Sequence, residues 1–411
     1  MPKAVQKDEA AAQAPKELEE RIRRWSVFQP WLQEDPIPFW KELREHGPVV
    51  RSEEFGGFWI FTRLEDIEWA AHHPDIFSSN EPTIPYRTMF RHKRIPIELD
   101  GTEHTEWRRT LDAVFSTSFV DHFTPQITEA AAGLVDAIVA RGRTELIDEY
   151  AFKLPAESFL ITFGVGREKL PELLERRDWV QRNWLNATSD EELFDAAAPL
   201  HDFIRASVER RRAEGTAGRE DVISRLLEST YDGRTPTDDE LVNALVDSMM
   251  ASLDITNAML GLAFLQLAER PELQARVAGA TPDKLPAIVG ELARHEPVMS
   301  TARVLTQDIE RHGITLHKGE RVFLSWGMAG LDPDVFENPD EIDFDRPQER
   351  VPSFGIGAHR CLGENLARRI FAVALREWHA RIPAYRVTEG TSPTHFYSGL
   401  RRLGSLDISF G

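Results

Sequence analysis

Along most of this chain apolar residues return every three or four positions, the spacing that gathers them on one face of an α-helix. Read with Pro-Glu or Ser/Thr/Asp starts, the pattern predicts helices over 102–116, 125–141, 156–164, 169–186, 190–214, 219–229, 238–268, 271–278, 284–296 and 361–382. Strand-like runs are few: Val49-Val50-Arg51, then Phe58-Trp59-Ile60-Phe61 after Gly56-Gly57 as in a hairpin, and short pieces within 387–411. The expected fold is mainly α with a small β-rich part. Residues 1–25 carry few aromatic or branched anchors and are expected to be a mobile lead-in, with ordered chain beginning near Trp25. No repeat, low-complexity linker or charge block divides the rest of the chain, so 26–411 is expected to be one domain.

Charge narrows the partners. The 411 residues hold 49 Lys+Arg against 68 Asp+Glu, a formal charge of −19, which argues against non-specific binding to nucleic acid or anionic membranes. A hydrophobic share of 41% with 28% charged residues suits a globular protein with material for a core. No run of about 18 apolar residues is evident, so no transmembrane helix is expected. Met1 to Glu20 lacks an apolar h-region, so no secretory signal is expected either. A cytoplasmic location is the expectation, in keeping with a single, unpaired cysteine.

That cysteine, Cys361, lies in Phe354-Gly355-Ile356-Gly357-Ala358-His359-Arg360-Cys361-Leu362-Gly363. Cations and helix-start N–H groups stabilise a thiolate; Arg360 and His359 precede the sulfur, and a helix is expected to run on from it. Gly355, Gly357 and Gly363 permit tight turns and the close approach of a large planar ligand. The stretch resembles the heme-binding loop of the cytochrome P-450 superfamily, matching FxxGxxxCxG at Phe354, Gly357, Cys361 and Gly363. The resemblance implies heme b on an axial thiolate from Cys361, with Phe354 beside it, and a thiolate that pushes electron density to favour O–O cleavage. The absence of an anchor helix makes the chain similar to the soluble bacterial branch.

Other segments carry the same resemblance. Glu291 and Arg294 share a helical face; with Arg346, in a stretch similar to the family's meander, they are expected to lock the region supporting the cysteine loop. His104 and Arg108, four apart after Asp100-Gly101, together with Arg303 and His359, resemble the groups that hold the heme propionates, four donors for two carboxylates. Val246 to Asn257 resembles the distal helix, where an acid followed by Thr supplies protons to dioxygen. Here Asp254 keeps the acid, Ile255 takes the usual Thr position, and Thr256 comes one residue later, turned by about 100°. Asp254 and Thr256 are the candidate catalytic pair. Three accounts of proton delivery stand: Thr256 swings in through a distorted helix, water serves with Asp254, or the substrate brings a hydroxyl.

Helical geometry adds that Asp247, Met250 and Ala251 share a stripe with Asp254. A carboxylate at 247 needs a partner, and the basic run Tyr86-Arg87-Thr88-Met89-Phe90-Arg91-His92-Lys93-Arg94 either supplies it or meets an anionic group of the substrate. The expected substrate contacts are His92, Asp247, Met250, Ala251, Met299 and Leu400, and the substrate is expected to carry a polar or ionised group. The resemblance implies monooxygenation of a small organic molecule by a monomer. No ferredoxin-like Cys set or dinucleotide Gly fingerprint is present, so electrons are expected from a separate ferredoxin and its NAD(P)H-dependent reductase. Arg109, Arg360, Arg368 and Arg369 are expected to form a basic docking patch for the donor. A peroxide-dependent peroxygenase, prompted by Ile255, and a non-catalytic heme sensor are the alternatives.

Overall fold

The computed structural model describes residues 17–86, 88, 90–184, 186–397 and 399–411. Most of the expected lead-in, and Arg87 and Met89 of the basic run, lie outside the described residues. The described residues are mainly helical with small β-sheets, and the chain forms two compact units.

The first unit takes the chain up to Tyr86 with Ala287–Cys361 and Pro393–Gly404. Within the expected lead-in, Leu18–Arg23 is a helix with Ile22 buried. A five-stranded sheet sits at the centre, in the order Val49–Ser52, Phe58–Phe61, Arg321–Ser325, Ser300–Leu305, Phe77–Ser78. The expected hairpin is present, with Val49 opposite Phe61, and its turn places Gly56 and Gly57 at φ 85° and 95°. Phe58–Phe61 runs parallel to Arg321–Ser325; the other neighbours are antiparallel. Successive side chains alternate between two cores. Phe58, Ile60 and Phe323 join Trp25, Trp40 and Leu43 on one face, while Phe61, Val322 and Leu324 join Leu64, Ile67 and Phe77 on the other. With both faces buried, the strands lack the polar alternation that would reveal them, which is why 300–305 and 321–325 are not legible in sequence. The helices Ile37–His46 and Leu64–His72 are likewise missed in the sequence reading, and neither opens on a capping side chain.

The second unit holds Arg87–Pro286, Leu362–Ser392 and Ser405–Gly411. Its axis is the 31-residue helix Asp238–Ala268, which starts at a capping box: the Thr237 hydroxyl accepts from the Glu240 N–H while the Glu240 carboxylate reaches back to Thr237. By length and composition alone this helix could cross a membrane, but most of its apolar stretch is buried in the protein, as in a core helix. Thr117–Val139, Lys153–Phe163, Leu170–Trp184, Asp190–Glu214 and Glu364–His379 accompany it. The first of these starts eight residues before the expected 125, because the Ser116 hydroxyl caps the Phe119 N–H and the helix continues past Pro125. Thr110 donates to the Thr230 carbonyl at 3.0 Å, and Trp107 stacks on Tyr231 at 4.4 Å, fastening the helix Gly101–Asp112. A three-stranded antiparallel sheet closes the unit, with Asp407–Ser409 between Arg143–Glu145 and Arg386–Val387.

Candidate active site

Cys361 sits in a loop whose shape is set by backbone geometry. Gly355 and Gly357 adopt φ 73° and 75°, a left-handed conformation that a side chain disfavours. The Cys361 N–H donates to the Phe354 carbonyl at 2.8 Å, closing the loop, and Phe354 is buried. A Cβ on Gly357 would collide with the Ala71 carbonyl, so the loop packs directly on the helix Leu64–His72. Cys361 itself is exposed. Two details differ from the sequence expectation. Gly363 has φ −88°, which any residue adopts, and the following helix starts at Glu364, so the cysteine stands in the loop ahead of it.

Glu291, Arg294 and Arg346 meet as expected. Arg294 Nε and Nη2 donate to the two Glu291 oxygens at 2.8 and 2.7 Å, and Arg346 Nε reaches Glu291 Oε1 at 3.1 Å. Both members of the first pair are fully buried. Their remaining hydrogen-bonding capacity is used as well: Arg294 donates to the carbonyls of Gly330, Pro339 and Glu341, each at 2.8 Å, and the Asp343 N–H donates to Glu291 at 2.9 Å. One ion pair thereby fixes the segment 330–346 that leads to the cysteine loop.

Of the residues expected at the propionates, His104 is buried and shares a helical face with Arg108, whose Nη2 also lies 3.0 Å from Asp112 Oδ1. Arg303 is buried on the strand Ser300–Leu305, where Nη1 donates to the Ala302 carbonyl at 2.7 Å. His359 is half-buried in the 3-10 turn Gly357–His359.

On the long helix, Asp247, Met250, Ala251 and Asp254 are all accessible, while Val246, Met249, Leu253, Thr256 and Asn257 are buried. The stripe read from sequence is therefore the open one. Ser252 Oγ bonds back to the Met249 carbonyl at 3.0 Å, yet the helix runs unbroken from 238 to 268. Thr256 is buried whereas Asp254 and Ile255 are half-buried. Met299 and Leu400, expected as substrate contacts, form an antiparallel bridge. Their support has no local signature in the sequence: Arg401, next to Leu400, forms a buried ion pair with Glu296, and its N–H donates to the Val298 carbonyl at 2.8 Å.

The basic groups behave differently from the expectation. Arg91 pairs bidentately with Glu191, at 2.7 and 3.2 Å, and covers Phe194. Arg94 Nε lies 2.7 Å from the buried Glu98 and its Nη1 3.7 Å from Asp247, so the anticipated partner of Asp247 is present, though beyond hydrogen-bond distance. His92 is exposed. In the anticipated donor patch, Arg109 pairs with Glu106, Arg368 with Glu364 at 2.9 Å and Arg369 with Asp121 at 2.7 Å. Those three are charge-compensated within the chain. Sequence does not reveal the partners because they are ordinary surface carboxylates, one of them far away along the chain.

The chemistry of this donor set suits heme. A soft sulfur fits iron, and buried or half-buried His and Arg side chains fit the two carboxylates. A protein of this construction is a heme-thiolate protein. Comparison with known proteins specifies it further. The cytochrome P-450 family profile matches residues 44–280 and 284–377, and the chain belongs to that family. It is 31% identical over 387 residues to the "Probable cytochrome P-450 127A1" of Sinorhizobium fredii, covering 91% of each chain. It is 28% identical over 403 residues to the methyl-branched lipid omega-hydroxylase of Mycobacterium tuberculosis, covering 92% of this chain and 90% of the relative. The crystal structure of cytochrome P-450 CYP101C1 superposes with a TM-score of 0.85 at 28% identity, covering 95% and 97% of the two chains. The protein is a heme-thiolate monooxygenase of the P-450 fold, carrying heme b through a cysteine thiolate.

Proposed function

We propose that Cys361 is the iron ligand, that Arg303, His104, Arg108 and His359 hold the propionates, and that Phe354 packs against the cofactor. The observation that carries this reading is the loop itself. Gly357 packed on Ala71 and the Cys361–Phe354 hydrogen bond hold an exposed thiol on a rigid support. When bound, the heme supplies reductive activation of dioxygen and transfer of one oxygen atom to an organic substrate. Asp254 moves protons from solvent toward the reacting oxygen, and the Thr256 hydroxyl, which is buried, contributes less. Met250, Ala251, Met299 and Leu400 contact an apolar skeleton, in keeping with the lipid named for one relative. His92, exposed, borders the substrate loop. Residues 26–411 act as one catalytic domain, monomeric and cytoplasmic, reduced by a separate ferredoxin and NAD(P)H-dependent reductase.

The reduced protein with carbon monoxide is expected to show the thiolate-type Soret shift, and Cys361→Ala to lose it; retention of that spectrum in the variant refutes the ligand assignment. Arg108→Ala and Arg303→Ala are each expected to weaken heme retention, and retention equal to wild type in both removes their joint role. Product formation with NAD(P)H, ferredoxin and reductase, but little with peroxide alone, is the expected outcome of turnover assays. Equal turnover with peroxide alone would favour the peroxygenase reading.

A further inference from the structure

Asp247 stands seven residues before Asp254 on the accessible stripe of the helix Asp238–Ala268, with Met250 and Ala251 between them. Its side chain is only 14% exposed. Among the described residues no N–H or O–H donates a hydrogen bond to its carboxylate, and the Arg94 guanidinium at 3.7 Å is turned toward Glu98 at 2.7 Å. A carboxylate so placed is costly, and burial of one without hydrogen bonds is rare enough in native proteins to need a reason.

Tethering the neighbouring loop is not that reason. Asn243, one turn earlier on the same face, already does so: its Oδ1 accepts from the Ile95 N–H at 2.9 Å and its Nδ2 donates to the Lys93 carbonyl at 3.1 Å. Glu98 secures the loop a second time, accepting from the Arg94 N–H at 2.9 Å. Asp247 therefore adds little to the attachment of residues 93–98, while it retains some exposure on the stripe it shares with Met250, Ala251 and Asp254.

We propose that Asp247 recognises a positively charged nitrogen on the substrate, making the preferred substrate an amphiphile with an apolar skeleton and a cationic amine; this rests on the monooxygenase reading above. A carboxylate is an acceptor only and selects for cations and donors over anions. The helix also sets a ruler. Seven residues at about 1.5 Å each put the cation on the order of 10 Å along the axis from Asp254. Oxidation is then directed to carbons remote from the nitrogen, and not to the carbon attached to it.

Three ligands on one skeleton test this by calorimetric titration of the holoenzyme: (4-phenylbutyl)trimethylammonium, its neutral tert-butyl isostere and 5-phenylpentanoate. The quaternary nitrogen has no lone pair and cannot ligate iron. The cation is expected to bind at least about tenfold tighter than the isostere, through attraction to one close opposite charge. Asp247→Asn should abolish the preference, Asp247→Glu should keep most of it, and Asp254→Asn should leave it in place. Equal affinities, a preference that survives Asp247→Asn, or tightest binding of the carboxylate each overturn the proposal. The carbon monoxide spectrum of the same reduced sample separates the two levels. A normal thiolate spectrum without cation preference sinks this inference alone, whereas loss of that spectrum in the wild type sinks the monooxygenase reading beneath it.

Discussion

Asp254 and Thr256 are two residues apart on one helix, yet the acid is accessible and the hydroxyl buried. The one-residue displacement read from sequence has a structural counterpart, since about 200° of helical rotation separates the two side chains. Product formed per NAD(P)H consumed should accordingly fall more in Asp254→Asn than in Thr256→Val; collapse in Thr256→Val alone would show that the hydroxyl reaches the reacting oxygen after all. Asp247 offers a second residue-scale test. Burial pushes its carboxyl from the ordinary 3.8 up to about 6, against the attraction of Arg94 and with help from Glu98. The folded chain then holds this proton more tightly than the unfolded one, so charge at 247 costs stability above pH 6, and the cost fades as pH falls toward 3.8. Asp247→Asn is expected to raise the Tm at pH 7 and to make no difference below about pH 4, read by calorimetry at the two pH values. The stripe is legible in the sequence because helical period alone places 247, 250, 251 and 254 together. The pairing of Arg91 with Glu191 is not, because a charge found 100 residues away by tertiary folding leaves no local trace.

At the scale of elements, legibility tracks the strength of end signals. The helix 238–268 is readable to the residue from its capping box, and Pro271–Ala278 from its first proline. The start of Thr117–Val139 is misread because Pro125 imitates a beginning, although the loss of one N–H inside a 23-residue helix is outweighed by its buried face. Two elements carry stability predictions. Glu291→Gln leaves Arg294 fully buried beside a neutral partner, and breaking such a pair typically costs about 3–5 kcal/mol. The variant should lose heme at lower denaturant concentration than wild type, whereas wild-type retention would mean the network is redundant. In Glu364–His379 the terminal His379 is buried, its Nδ1–H donating to the Leu375 carbonyl at 2.8 Å. Burial lowers its pKa from 6.5 to about 4. The imidazole stays neutral in the fold but protonates in the unfolded chain below 6.5, so its contribution is complete above that value. It is lost as pH falls toward 4, up to about 3 kcal/mol. His379→Gln should flatten the stability profile between pH 6.5 and 4 in denaturant titrations.

Across the whole molecule, a formal charge of −19 meets surface arginines that are mostly engaged by carboxylates. Two acidic proteins repel at long range, and salt screens that repulsion over roughly 8 to 10 Å at physiological strength. With an acidic ferredoxin as the test donor, reduction should therefore quicken as ionic strength rises to about 0.15 M; stopped-flow rates that fall steeply with salt would reveal an attractive patch outweighing the net charge. The strand Asp407–Ser409 is the middle of its sheet, with Arg143–Glu145 on one side and Arg386–Val387 on the other. Residues 143–145 emerge from the ribosome more than 250 residues before the strand that joins them to 386–387. Until then residues 143–145 wait as an open edge, whereas Arg386–Val387 lies close to its partner in sequence. The nascent enzyme consequently passes through a long interval in which residues 143–145 lack their partner strand, and its yield in cells should depend on chaperone supply more than its stability in a test tube would suggest.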